Sequence, residues 1–176
     1  MAVPIEIDVW QGDVAELEVD AIVVPANESL FMTSPVARAV KLRGGESVER
    51  DAVAQGPIAA GTAIVTAGGT LAAPYVIHVV GVGHELIADA ARLAAALDSA
   101  FDIAARLGLK RLAMAPVGLQ RGVFSAEESA SVLVQVLTAR ADRAATLPES
   151  LVLALTSPSD ASAFRAVVEA PGSPSR

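Results

Sequence analysis

The sequence predicts a single α/β domain built on a largely central sheet. Three observations carry that expectation. Strand-type and helix-type patterns alternate through most of the 176 residues. The run Ala21-Ile22-Val23-Val24 is apolar at every position, as a strand covered on both faces must be. The composition, 53% hydrophobic but only 3% aromatic, specifies an aliphatic, alanine-rich core in a chain long enough to need no staples.

The elements follow in order. Ile5, Ile7 and Val9 alternate with Glu6, Asp8 and Trp10, the period of a half-buried strand. Gln11-Gly12-Asp13-Val14 breaks it, and Asp13 suits a turn or cap because its carboxylate bonds nearby N–H groups. The apolar strand should end at Pro25, which has no N–H to give to a ladder. After a polar loop, Ser34 and Pro35 mark a helix start as N-cap and first helical residue. That helix should span 35–43 and stop at Gly44-Gly45, and a second should span 46–55 and stop at Gly56-Pro57. The runs 62–66 and Tyr75–Val80, joined by a Gly68-Gly69 turn, read as an antiparallel pair. His78 lies inside the second run and reads as a satisfied core histidine. Leu93, Leu97, Phe101 and Ala104 recur at helical spacing within 88–107, and Gly108 closes that helix. A strand over 111–117 leads into a glycine-bearing loop, 118–123. Ser125 and Glu128 form a capping-box pattern opening a helix over 126–139. A strand over 151–155 and a helix over 161–168 complete a domain spanning 1–169, with a disordered tail expected at 170–176.

Several function classes are excluded or disfavoured. The absence of cysteine rules out disulfides, thiolate metal sites and a Cys nucleophile. His78 and His84 are too few for a histidine-rich metal centre, so neither a metal nor a cofactor is expected. A net charge of −7 without any basic run disfavours nucleic acid as a partner. No apolar stretch approaches the ~20 residues of a membrane span. The N-terminal stretch also lacks the features of a signal peptide, so a cytoplasmic setting is expected. P-loop and Rossmann fingerprints are missing, and neither Ser34 nor Ser125 has a nucleophile-elbow setting.

Two strand-loop-helix units, 24–36 and 116–126, remain as candidate ligand loops, because α/β folds hold ligands beyond their strand ends. At Ser34-Pro35 the amides and dipole of a helix start favour an anion by roughly 0.3–1 kcal/mol. Asn27 brings an amide side chain that both donates and accepts. A small phosphate-bearing ligand fits these loops, and so does an ordinary strand-loop-helix connection.

Three stretches resemble the macro domain family: QGDVAELEVDAIVVPANESL, GTAIVTAGGTLAAPYVIHVVG and APVGLQRGVF. The likeness covers about residues 5–168. Its most specific part is the Gly-Thr-Ala strand followed by Leu-x-x-x-Tyr-Val-Ile-His. The resemblance implies a three-layer α/β/α sandwich on a mixed, about six-stranded sheet. It also implies ADP-ribose, free or carried on an ADP-ribosylated protein, as the ligand. On this likeness Asp13 accepts from the adenine amino group, the Val14 amide lies beside it, and Asn27 reaches the distal ribose. Thr33, Ser34 and Val36 in one loop, and Gly118, Leu119, Gln120, Arg121, Gly122 and Val123 in the other, enclose the diphosphate.

The chain departs from the family pattern at both loops. Thr33-Ser34-Pro35 stands where the family has glycines, and Pro35 removes a donor, although the two hydroxyls can replace it. Gly118-Leu119-Gln120-Arg121 replaces the usual Gly-Thr-Gly, and Arg121 is either a charge-assisted donor or a solvated side chain. Thr156-Ser157-Pro158 lacks the aromatic often found against adenine. Hydrolytic relatives carry an aspartate where this chain has Ala37, and an alanine cannot take a proton. The expectation is therefore a binding module. The alternative is an ADP-ribosyl hydrolase or O-acetyl-ADP-ribose deacetylase with Asn27 as its catalytic residue.

Overall fold

The computed structural model describes residues 5–170. The tail expected to be disordered falls, apart from Ala170, outside the described residues. The strands are β1 (Glu6–Gln11), β2 (Ala21–Pro25), β3 (Thr62–Ala67), β4 (Tyr75–Val80), β5 (Arg111–Met114) and β6 (Ser150–Leu155). The helices are α1 (Pro35–Gly44), α2 (Glu46–Val53), α3 (Ala90–Arg106), α4 (Ala126–Asp142) and α5 (Pro158–Val168). One sheet holds all six strands in the order β1-β6-β5-β2-β4-β3. Every pairing is parallel except that of β3 with β4. The expected mixed, six-stranded α/β/α sandwich is what forms.

β2 shows why a strand can be apolar throughout. Ala21 and Val23 face the core formed with α3, α4 and α5, while Ile22 and Val24 face the smaller core under α1. Both faces are dry, so alternation disappears. β2 ends at Pro25, opposite Val79, and the next amide, Ala26, donates to the Val79 carbonyl at 2.8 Å. His78 is buried on β4, and its Nε2 lies 3.0 Å from the Thr66 hydroxyl of β3. It is the satisfied core histidine expected.

Some boundaries differ from expectation for local reasons. The strand expected over 111–117 stops at Met114, because Pro116 cannot continue a ladder. α2 ends at Val53, short of 55. α4 runs on to Asp142, past 139. The last helix begins at Pro158 with Ser157 as its cap, earlier than 161. Ser157-Pro158 is the same start signal as Ser34-Pro35.

Two joints bring the helices close to the sheet. At Gly69 (φ 61°) a Cβ would lie 1.9 Å from the Gly44 carbonyl oxygen, so the β3–β4 turn can seat against the end of α1 only as glycine. Arg140 is buried between α3 and α4. Its guanidinium bonds the Asp98 and Asp102 carboxylates at 2.6 and 2.8 Å and the Thr146 carbonyl at 3.0 Å.

Candidate functional site

Parallel strands end at one edge, so the loops after β1, β2, β4, β5 and β6 meet there. They enclose a cleft of about 930 Å³. Of the residues expected at a site, Asp13, Val14, Asn27, Thr33, Ser34, Val36, Leu119, Gln120 and Arg121 line it. Gly118, Gly122 and Val123 belong to the same loop but not to the wall. A Cβ on Gly118 would press on Phe124 and Leu93, which places that residue against the core.

Asp13 closes β1 and caps a 3₁₀ turn over Val14–Glu16, accepting from the Ala15 amide at 2.9 Å. Asp13 is thus both the cap of this turn and part of the cleft lining. Asn27 follows β2. Its Nδ2 donates to the Phe31 carbonyl at 2.9 Å, while its Oδ1 is buried and has no partner. A buried acceptor left unpaired costs on the order of 1–3 kcal/mol.

The loop from Phe31 to Ala37 is held by bonds within itself and by Glu49 of α2. The Thr33 amide donates to the Phe31 carbonyl at 3.0 Å. Met32 donates to the Glu49 carboxylate at 2.7 Å, and the other Glu49 oxygen accepts from Lys41 at 2.7 Å. Lys41, helped by the Met32 amide, holds the Glu49 carboxyl below its usual value against partial desolvation. Ser34 caps α1 as expected, its hydroxyl accepting from the Ala37 amide at 3.3 Å. Ala37 itself is buried.

In the loop before α4, the Gln120 side chain accepts from the Gly118 amide at 3.0 Å. Gly122 and Val123 close a short 3₁₀ turn onto Leu119 and Gln120. Arg121 sits in the left-handed region at φ 52° and is part of the cleft lining. Ser125 and Glu128 make the expected capping box.

The sequence reading missed the β4–α3 loop, which contributes Val82, Gly83, His84 and Leu86 to the wall. Glu28 binds this loop to Asn27's, accepting from the His84 amide at 2.9 Å and lying 3.4 Å from its Nε2. The signal was the strand itself, since any loop leaving β4 at that edge must face the same crevice. Phe31, 52% exposed on the wall, and Asp160, in the first turn of α5, were missed as well. Among the described residues no group of His, Cys, Asp and Glu could hold a metal, and no helix is long and apolar enough to cross a membrane.

Comparison with known proteins places this geometry in a family. The family model for the macro domain matches residues 23–133. A Mycobacterium bovis protein is 31% identical over 166 residues, 94% of this chain, which spans only 46% of that relative's length. A macro domain-containing protein of Cupriavidus necator is 34% identical over 140 residues, covering 73% of this chain and 78% of its own. In fold, the chain is similar to the Trypanosoma brucei macrodomain solved in complex with ADP-ribose. That match has a TM-score of 0.83 and 21% identity, and covers 93% of this chain and 69% of that one. With the family model covering most of the length, the chain belongs to the macro domain family.

Proposed function

We propose that this chain is a cytoplasmic binding module for ADP-ribose, free or attached to protein. One observation carries the reading. The Asn27 Oδ1 is a buried acceptor on the cleft wall with no protein partner, and a ribose hydroxyl is a donor of the right size to complete it. The Trypanosoma brucei relative solved with ADP-ribose supports the same ligand. In this reading Asp13 and the Val14 amide take the adenine, and Asn27 takes the distal ribose. Thr33, Ser34 and Val36 face Leu119, Gln120 and Arg121 across the diphosphate, while Gly118, Gly122 and Val123 shape that loop from behind the wall.

Binding is favoured over hydrolysis by what surrounds Asn27. Ala37 offers no carboxylate, Lys41 is paired with Glu46 and Glu49, and Glu28 is engaged with His84. The test is calorimetry with ADP-ribose, AMP and a short oligo(A). ADP-ribose should bind with a dissociation constant near 1 μM or weaker, about −8 kcal/mol at 1 μM. No heat up to millimolar ADP-ribose would reject the ligand.

A further inference from the structure

An anion held between two loops normally takes its hydrogen bonds from backbone amides. Here most of those amides are already engaged. In the first loop Met32 gives to Glu49, Thr33 to the Phe31 carbonyl, Ala37 to the Ser34 hydroxyl and Arg38 to the Ser34 carbonyl. Pro35 has no N–H, so Ser34 and Val36 are what remain from 32 to 38. In the second loop Gly118 gives to the Gln120 side chain, Gly122 to Leu119, Val123 to Gln120 and Phe124 to Gly118, which leaves the Leu119, Gln120 and Arg121 amides. A satisfied amide is lost to a ligand unless its internal bond breaks.

Beside these few free amides the wall carries one charged donor. Arg121 is the only lysine or arginine among the described residues lining the cleft. Its guanidinium makes no ion pair or hydrogen bond, unlike those of Arg43, Arg50, Arg92, Arg140 and Arg143. Its backbone is left-handed, a conformation that disfavours a side chain and is kept where surrounding structure imposes it. An unpaired cation in the cleft lining of a chain of net charge −7 is a donor that an anion there can reach.

We propose that Arg121 is the principal diphosphate-binding group of this cleft, adding one forked, charged donor to the few amides left free. This rests on the ADP-ribose reading and adds to it a dependence on charge. Recognition becomes salt-sensitive and concentrated on the diphosphate, because a guanidinium binds two phosphate oxygens at once and the attraction is screened by ions.

The experiment compares wild type, Arg121→Gln and Arg121→Gly by titration with ADP-ribose, ADP and adenosine at two salt concentrations, with melting temperatures recorded. Arg121→Gln should weaken ADP-ribose and ADP about tenfold to a hundredfold, as loss of a charged hydrogen bond does. It should leave adenosine within about twofold and flatten the salt dependence. Arg121→Gly should lose the same affinity without lowering the melting temperature, since glycine accepts the left-handed backbone. Wild type binding ADP-ribose, with both variants matching it in affinity and salt slope, would overturn the role of Arg121 and leave the ligand standing. Wild type binding ADP but not ADP-ribose would overturn the ligand, and Arg121 would then be judged on ADP. Binding of neither would overturn both.

Discussion

Two side chains carry consequences that single substitutions can read. Burial of His78 in an apolar strand disfavours its charged form and lowers its pKa from 6.5 to about 4. Between those values the unfolded chain binds a proton that the native state refuses, so stability falls as pH drops from 6.5 towards 4. The loss is on the order of 3 kcal/mol. His78→Gln can still bond Thr66 but has no such proton. Urea unfolding at pH 7 and pH 4.5 should show a smaller acid loss for the variant than for wild type. An equal loss would mean that protonation of His78 is not what destabilises the native state in acid. Asp13 has two roles to separate. Asp13→Ala should cost about 1 kcal/mol of stability through the lost cap. It should also weaken ADP-ribose and AMP alike by roughly tenfold to a hundredfold, since a charged acceptor contributes about 1.5–3 kcal/mol. Asp13→Asn keeps a capping oxygen but removes the charge, so melting temperature should hold while affinity falls. Wild-type affinity in that variant would leave Asp13 a cap and nothing more.

At the scale of elements, the joint between α3 and α4 is the most polar contact in an aliphatic core. Burial would raise the Asp98 carboxyl, but hydrogen bonds from Arg140 and Arg143 hold it below its usual value. Arg140 also lies over the Phe101 ring at 5.8 Å and fastens the segment after α4 through Thr146. Removing Arg140 takes its donor from Asp102 and the Thr146 carbonyl and leaves Asp98 with Arg143 alone. Arg140→Ala should therefore cost about 3 kcal/mol in denaturant unfolding, while ADP-ribose affinity stays unchanged because the cleft lies at the other end of the sheet. A second brace acts on the cleft directly. Glu49 on α2 takes the Met32 amide and the Lys41 ammonium, and so fixes the loop before α1. Glu49→Ala should lower ADP-ribose affinity several-fold and leave adenosine binding unaltered, measured by calorimetry. Equal loss for both ligands would mean that the substitution disturbs the fold rather than that loop.

For the whole molecule, a ligand held between the loops after β1, β2 and β5, as proposed for ADP-ribose, must stabilise the domain. At one hundred times its dissociation constant ADP-ribose adds about 2.7 kcal/mol, which for a chain of this size raises the melting temperature by roughly 5–10 °C. Thermal scans against ADP-ribose concentration check this, and AMP should produce a smaller shift because it reaches fewer loops.

The fold was readable because its signals are local. A strand dry on both faces must be apolar throughout, and β2 is. Caps announce helix starts through one side chain and one amide, as at Ser34, Ser125 and the overlooked Ser157. The positions of Asp13, Asn27, Thr33 and Gln120 on one wall were also legible, through strand ends followed by polar loops and through the family likeness. What the sequence could not supply was pairing between distant segments. Nothing local says that Glu49 takes the Met32 amide, that Glu28 ties down His84, or that the unpaired Asn27 oxygen is buried. Those bonds depend on which loops the strand order β1-β6-β5-β2-β4-β3 brings together at one edge. Local patterns determined the elements, since hydrophobic period and capping act over a few residues. Tertiary structure alone decided which donors stay free for a ligand, because a hydrogen bond made inside the protein is one the cleft no longer offers.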